Sequence, residues 1–234
     1  MSERPLVSVV IPVHDGERYL AEAIDSVLAQ RACALEVVVV DDGSSDASAA
    51  IAARYGPPVC VHSQAAAGAG AARNRGIELT HGAFVAFLDA DDLWRPRKLE
   101  LQLAAFAAEP ELDVVFGHYR EFVTPEADPA AAARWKPREN PRPGCALGTA
   151  LMRRESLLRI GPLREDLAVG EFVDWMARAR ESGMRDAMLS DLFLLRRLHG
   201  ANLTRARRDR LTDLAYVVKQ SLDRRRAAAE GAGT

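Results

Sequence analysis

Three cysteines in 234 residues, Cys33, Cys60 and Cys145, are too few and too widely spaced for a disulfide framework or a zinc site. There is no CxxC pair, so reduced and mostly buried thiols are expected. No apolar run reaches the length of a membrane-spanning helix, and the opening MSERPLVSVVIP lacks the basic start and long apolar stretch of a secretion signal. The expectation is a cytoplasmic chain. Aromatic residues make up only 6%, and neither sign of charge dominates, since 31 Lys and Arg stand against 33 Asp and Glu. That balance argues against a general nucleic-acid binder, and a hydrophobic content of 48% argues against disorder. Internal repeats and flexible linkers are also missing, which leaves one compact domain of enzyme size.

The charges are unevenly spread. Residues 1–100 hold 9 basic and 14 acidic side chains, against 22 and 19 in the remainder. The first half also alternates short apolar runs with helical patterns. The runs at 7–11, 35–40, 58–62 and 83–88 are β-branched or aromatic and bounded by Pro, Gly or Asp, as buried central strands are. Leu20, Ile24, Val27 and Leu28 predict an amphipathic helix over 17–30, and further helices are expected from near Asp46, over 69–79 and over 96–108. This order predicts a parallel α/β sheet. Further on, 112–116 and 145–152 read as strands, 123–143 as a long loop, and 171–182 as a helix with Phe172, Trp175, Met176 and Ala179 on its apolar face. Leu211, Leu214, Ala215, Val218 and Leu222 line a basic C-terminal helix and would pack on the domain or on a second subunit.

Ligands of parallel α/β sheets sit beyond the carboxyl ends of the strands. Pro12, His14, Asp15 and Glu17 follow the first strand, Asp41 and Asp42 the second, and Asp89, Asp91 and Asp92 the 83–88 strand. Carboxylates converging on one rim repel each other unless a cation or a donor-rich ligand neutralises them. Asp89 and Asp91, two residues apart on an extended segment, point the same way and can share one hard cation such as Mg²⁺ or Mn²⁺. The competing reading makes Asp89 a helix cap and leaves Asp91 and Asp92 solvated.

In order, VSVVIPVHDGERYL, VVVVDDGSSD and AGAGAARNRGIELTHGAFVAFLDADD resemble the family 2 nucleotide-sugar glycosyltransferases, which have the GT-A fold. Looser likeness extends through DLWRPRKLELQ, LGTALMRRESLLRIGPLRED, GEFVDWMARARESG and RRLHGANLT. The resemblance implies a metal-dependent, inverting transfer from a nucleotide-diphosphate sugar, most often a UDP-sugar, to an acceptor hydroxyl or thiol. It implies that Pro12, His14, Asp15, Glu17, Asp41, Asp42, Arg73, Asn74 and Asp89 hold the donor nucleotide. By the same resemblance Asp91 is the principal metal ligand with Asp89 and His199, and Asp92, Trp94 and Trp175 face the donor sugar or acceptor. Inverting members carry a Glu-Asp pair before a helix, and Phe172 stands where that Asp belongs. Glu171 is then the candidate base, Asp174 the reserve, and Arg178 an ion-pair partner for Asp174.

On this reading the chain divides into a donor half at 1–95, an acceptor half at 96–204 and a C-terminal helix and tail at 205–234. The acceptor, whether saccharide, lipid head group, small molecule or peptide, would approach across 123–150 and the helix from 171. Arg205, Arg207, Arg208, Arg210, Arg224, Arg225 and Arg226 form a basic tail, read first as a solvated face and second as a peripheral contact with the inner face of a membrane. Phe172 also permits a nucleotide-sugar-binding protein that has lost catalysis. The fold order alone permits a nicotinamide-dependent oxidoreductase, although Gly68-Ala-Gly70 lacks the third glycine of a dinucleotide fingerprint.

Overall fold

The structure is a computed structural model that describes residues 4–124, 137, 140–167, 169–200 and 211–231. Most of the expected loop at 123–143 lies outside these residues, as do Arg205, Arg207, Arg208 and Arg210 and the side chains of Leu211, Leu214 and Arg225. The strands are β1 (Leu6–Val13), β2 (Ala34–Asp42), β3 (Val59–Gln64), β4 (Phe84–Phe87), β5 (Leu93–Trp94), β6 (Val114–Val123), β7 (Arg142–Gly144), β8 (Leu151–Arg153) and β9 (Asp186–Leu198). The helices are α1 (Leu20–Leu28), α2 (Ser48–Ala53), α3 (Ala69–Glu78), α4 (Lys98–Ala108), α5 (Arg154–Ile160), α6 (Glu171–Glu181) and α7 (Leu211–Gly231).

All nine strands form one sheet in the order β3-β2-β1-β4-β8-β6-β9-β5, with β7 paired to β6. The first four strands are parallel, as the alternation of strand and helix predicts. β8 then runs antiparallel to both β4 and β6.

The two-residue period of a strand sorts β1 and β2 between two faces. Val7, Val9, Ile11, Val37 and Val39 pack with Leu20, Ile24 and Val27 of α1 and with Leu99 and Phe106 of α4. On the other face Val10, Val85, Phe87, Val114 and Phe116 meet Ile77 of α3, Leu157 of α5, and Phe172, Trp175 and Met176 of α6. Each such fully buried side chain contributes roughly 1.5–3 kcal/mol. Helix α3 lies so close to β1 that a Cβ on Gly76 would stand 2.2 Å from Val10 Cγ1.

Some expectations need correction. β3 is an edge strand with only Val59 buried. Cys60, on β3, and Cys145 are exposed, and Cys33 alone is buried. Burial pushes the Cys33 thiol up to about 11. β9 was not foreseen. Its sequence DAMLSDLFLLRRL is broken by Ser190 and Asp191 and ends in two arginines, so no continuous apolar run marks it. On α7, Val217 is buried, whereas Ala215, Val218 and Leu222 of the expected stripe are exposed.

Candidate functional site

The carboxyl ends of β1, β2 and β4 open onto one rim. The loops after β1 and β2 are tied to each other: the Asp15 and Glu17 N–H groups donate to Ser44 Oγ and Asp46 Oδ2, and the Ser45 and Ala47 N–H groups donate back to Asp15 Oδ1 and Glu17 Oε2. The Ser45 N–H holds the Asp15 carboxyl below its ordinary value. Burial opposes ionisation of Asp46, but bonds from Ser48 and from the Glu17 N–H outweigh it and lower that carboxyl too. The Asp46 carboxylate also receives the Ser48 N–H, capping α2 from just outside it.

His14, exposed beside this network, sets Nδ1 2.7 Å from the Asp42 carbonyl oxygen. Asp42 is buried and gathers the segment ahead of α3, accepting from Gln64 Nε2 at 2.8 Å, Ala67 N at 2.9 Å and Gly68 N at 2.8 Å. Asp41, also buried, accepts from Ser44 N. Pro12 is buried within β1 opposite Val40. The second strand's two aspartates therefore shape the loops around the rim.

Beyond β4, one oxygen from each of Asp89, Asp91 and Asp92 lies within 4.8 Å of the others. Asp92 is buried, and its carboxyl is raised well above the ordinary value by that burial, then by the charges of Asp91 and Asp89, despite the hydrogen bond from Arg197 N at 2.8 Å. The hard oxygen donors of the three carboxylates fit Mg²⁺ or Mn²⁺. His199, at the end of β9, brings Nε2 to 2.8 Å from Asp91 Oδ2. Helix α4 begins only at Lys98, after β5, so Asp89 is not its cap.

Arg73 of α3 joins the acidic rim to α6. It donates from Nη2 to Asp89 Oδ1 at 2.7 Å and from Nη1 to Glu171 Oε1 at 2.6 Å. Burial works against its charge, but Asp89 and then Glu171 outweigh that, and its pKa stays raised. Its Nε–H is buried without an acceptor among the described residues. Glu171 is the first residue of α6, and Phe172 turns inward to stack on Trp175 at 5.8 Å.

Four expected site residues serve other ends. Asn74 spends its amide on Leu163 O, Leu163 N and Glu165 Oε1, holding the segment before α6. Trp175 is fully buried with Nε1 donating to Gly161 O. Trp94 is buried with Nε1 on Gly148 O and Lys98 Nζ 4.1 Å above its ring. Asp174 is 1% exposed and paired with Arg178 Nε at 2.9 Å and with Arg224 Nη1 at 3.7 Å, so it is committed to α6 and α7. Fully buried Lys98 has its pKa pulled well down by burial.

Arg197 of β9 was missed. It is buried between the rings of Tyr19 and Phe122, at 4.5 and 4.8 Å, and donates to the Asp91 carbonyl oxygen and to Glu22 Oε2. Its only mark in the sequence is its place two residues before His199. A cleft of about 430 Å³ lined by Pro5, Phe84, Phe106 and Arg153 lies at the amino ends of β1 and β4, opposite the acidic rim. It takes no part in this site.

Comparison with known proteins places these features in a family. An uncharacterized glycosyltransferase of Rickettsia typhi is 41% identical over 111 residues, 47% of this chain and 35% of that protein. The uncharacterized glycosyltransferase YibD of Escherichia coli is 41% identical over 117 residues, 49% of this chain and 34% of its own length. The chain thus spans about a third of these relatives. Among solved structures, S. aureus TarS 1-349 is 25% identical with a TM-score of 0.63, covering 82% of this chain and 60% of that one. The mannosyltransferase PcManGT from Pyrobaculum calidifontis, solved with GDP-Man and Mn²⁺, is 20% identical with a TM-score of 0.71, covering 95% of this chain and 65% of that one. Both have the GT-A fold seen here. The family described as Glycosyl transferase family 2 matches residues 8–161, more than half of the sequence, and the chain belongs to it.

Proposed function

We propose that the chain transfers a sugar from a nucleotide-diphosphate donor, a UDP-sugar first, to an acceptor hydroxyl or thiol with inversion. The observation that carries this reading is the cluster of Asp89, Asp91 and Asp92 carboxylates within 4.8 Å at the end of β4. Asp91 and Asp89 with His199 would hold Mn²⁺ or Mg²⁺, which would supply neutralisation of the charge on the leaving diphosphate. Arg73, with its fork at the rim, suits the phosphates. His14, Asp15, Glu17, Asp41 and Asp42 form the loops on which base and ribose would lie. Glu171, at the amino end of α6, would take the acceptor proton and leave the oxygen or sulfur free to attack the anomeric carbon.

Residues 1–95 are assigned to the donor, 96–204 to the acceptor and 205–234 to a terminal helix. No helix of the described residues is long and apolar enough to cross a membrane. Exposed Val218 and Leu222 on α7 are compatible with self-association. The test is donor hydrolysis or transfer in the presence of Mn²⁺. Asp91→Ala abolishes it, and Glu171→Gln lowers kcat by orders of magnitude while nucleotide still binds. Turnover unchanged in Asp91→Ala removes the metal assignment, and normal turnover in Glu171→Gln removes the base.

A further inference from the structure

The proposed base is engaged before any substrate arrives. Glu171 Oε1 lies 2.6 Å from Arg73 Nη1, and the Glu171 side chain is only 15% exposed. The carboxylate oxygen that faces Arg73 already accepts a charge-assisted hydrogen bond and is not open to an acceptor hydroxyl while that bond stands. The same guanidinium holds Asp89, whose side chain is 51% exposed and open to a ligand. The Arg73 Nε–H is buried and lacks an acceptor among the described residues. Buried donors without partners are costly, and a phosphate oxygen supplies an acceptor of the right charge.

We infer that Arg73 is a donor-operated lock: it holds Glu171 in the empty site and is drawn from Glu171 toward the donor diphosphate, freeing the carboxylate for the acceptor. This deepens the assignment of Glu171 as base and rests on it. The donor therefore binds first, and a base released only after the donor is seated limits premature proton transfer. Part of the donor's binding free energy goes into breaking the Arg73–Glu171 pair. Any change that breaks the pair beforehand tightens nucleotide binding by the amount saved.

The experiment is calorimetric titration of UDP, and of GDP, in Mn²⁺, into wild type, Glu171→Gln, Glu171→Asp, Arg73→Gln and the Arg73→Gln/Glu171→Gln double variant. A charged hydrogen bond contributes roughly 1.5–3 kcal/mol, so Glu171→Gln is expected to tighten the nucleotide by about tenfold or more. Glu171→Asp keeps the charge but draws it back by one carbon–carbon bond, away from Arg73, and tightens binding as well. With Arg73 removed, Glu171→Gln has no further effect.

Unchanged affinity in Glu171→Gln overturns the lock. So does an equal gain in the Arg73→Gln background, which reports only the loss of a nearby negative charge. If Arg73→Gln does not fold, Glu171→Asp decides alone: tighter binding supports the lock, and wild-type affinity overturns it. Turnover assayed on the same samples separates the two ideas. Glu171→Gln that keeps normal turnover removes the base assignment, whereas lost turnover with unchanged affinity removes only the lock.

Discussion

Replacing Arg197 with Met removes the tether that holds the Asp91–Asp92 turn from outside. The guanidinium is 3% exposed, donates through Nε to the Asp91 carbonyl oxygen at 2.9 Å, and lies between the rings of Tyr19 and Phe122. The charged hydrogen bond is worth about 1.5–3 kcal/mol, and each ring contact about 0.5–2 kcal/mol. Glu22 is 57% exposed, so its pair with Arg197 adds less than about 1 kcal/mol. These contacts share one side chain and do not simply add, and Met refills part of the volume, so the expected loss is about 3 kcal/mol. The backbone N–H of Arg197 still reaches Asp92. Urea unfolding reads the loss as a lower midpoint at unchanged slope. A Mn²⁺ titration of the same variant is expected to weaken about tenfold, because His199 lies two residues along the strand end that Arg197 anchors. A loss under about 1 kcal/mol together with wild-type Mn²⁺ affinity would refute the tether.

Three further outcomes are expected. Asn74→Ala leaves the Leu163 N–H and C=O without their partner and costs about 2–4 kcal/mol, read as a melting temperature lower by several degrees. Burial opposes ionisation of Asp113, but the Ser156 hydroxyl, the Arg185 N–H and Arg159 outweigh it and keep its folded-state pKa below the unfolded value. Its stabilisation is therefore complete above the unfolded value near pH 4 and lost as pH falls through the lower folded value, so the stability gap between wild type and Asp113→Asn narrows in acid unfolding. Gly76→Ala forces a Cβ to 2.2 Å from Val10 Cγ1 and pushes α3 off β1, lowering stability by about 1–3 kcal/mol despite the better helix propensity of Ala.

The parallel half of the sheet was legible because its central strands are runs of β-branched residues and α1 between the first two carries a clean apolar period. The acidic triad was legible from its short spacing, although a turn closed by the Asp92 N–H on the Asp89 carbonyl oxygen, and not the expected extended segment, brings the carboxylates together. The arginine contacts were not, since Arg73 meets Glu171 across 98 positions and Arg197 meets Asp91 across 106. Nothing local announces either pairing. Asn74, Trp94 and Trp175 are tied to backbone carbonyls in distant turns, and a polar group so tied has the same sequence surroundings as one that faces a ligand. Phe172, in contrast, was read from its place on the apolar period of α6, and it is buried there.

The central claim, a metal-assisted nucleotide site at the end of β4, is tested most directly by thermal unfolding with UDP or GDP, with and without Mn²⁺, in wild type and Asp91→Ala. Ligand at a hundred times its dissociation constant adds about 2.7 kcal/mol, or roughly 5–10 °C for a chain of this size. The account predicts that one of the nucleotides gives this shift in wild type only when Mn²⁺ is present, and that Asp91→Ala loses it. A nucleotide shift of the same size without Mn²⁺, or one that survives Asp91→Ala, would contradict it.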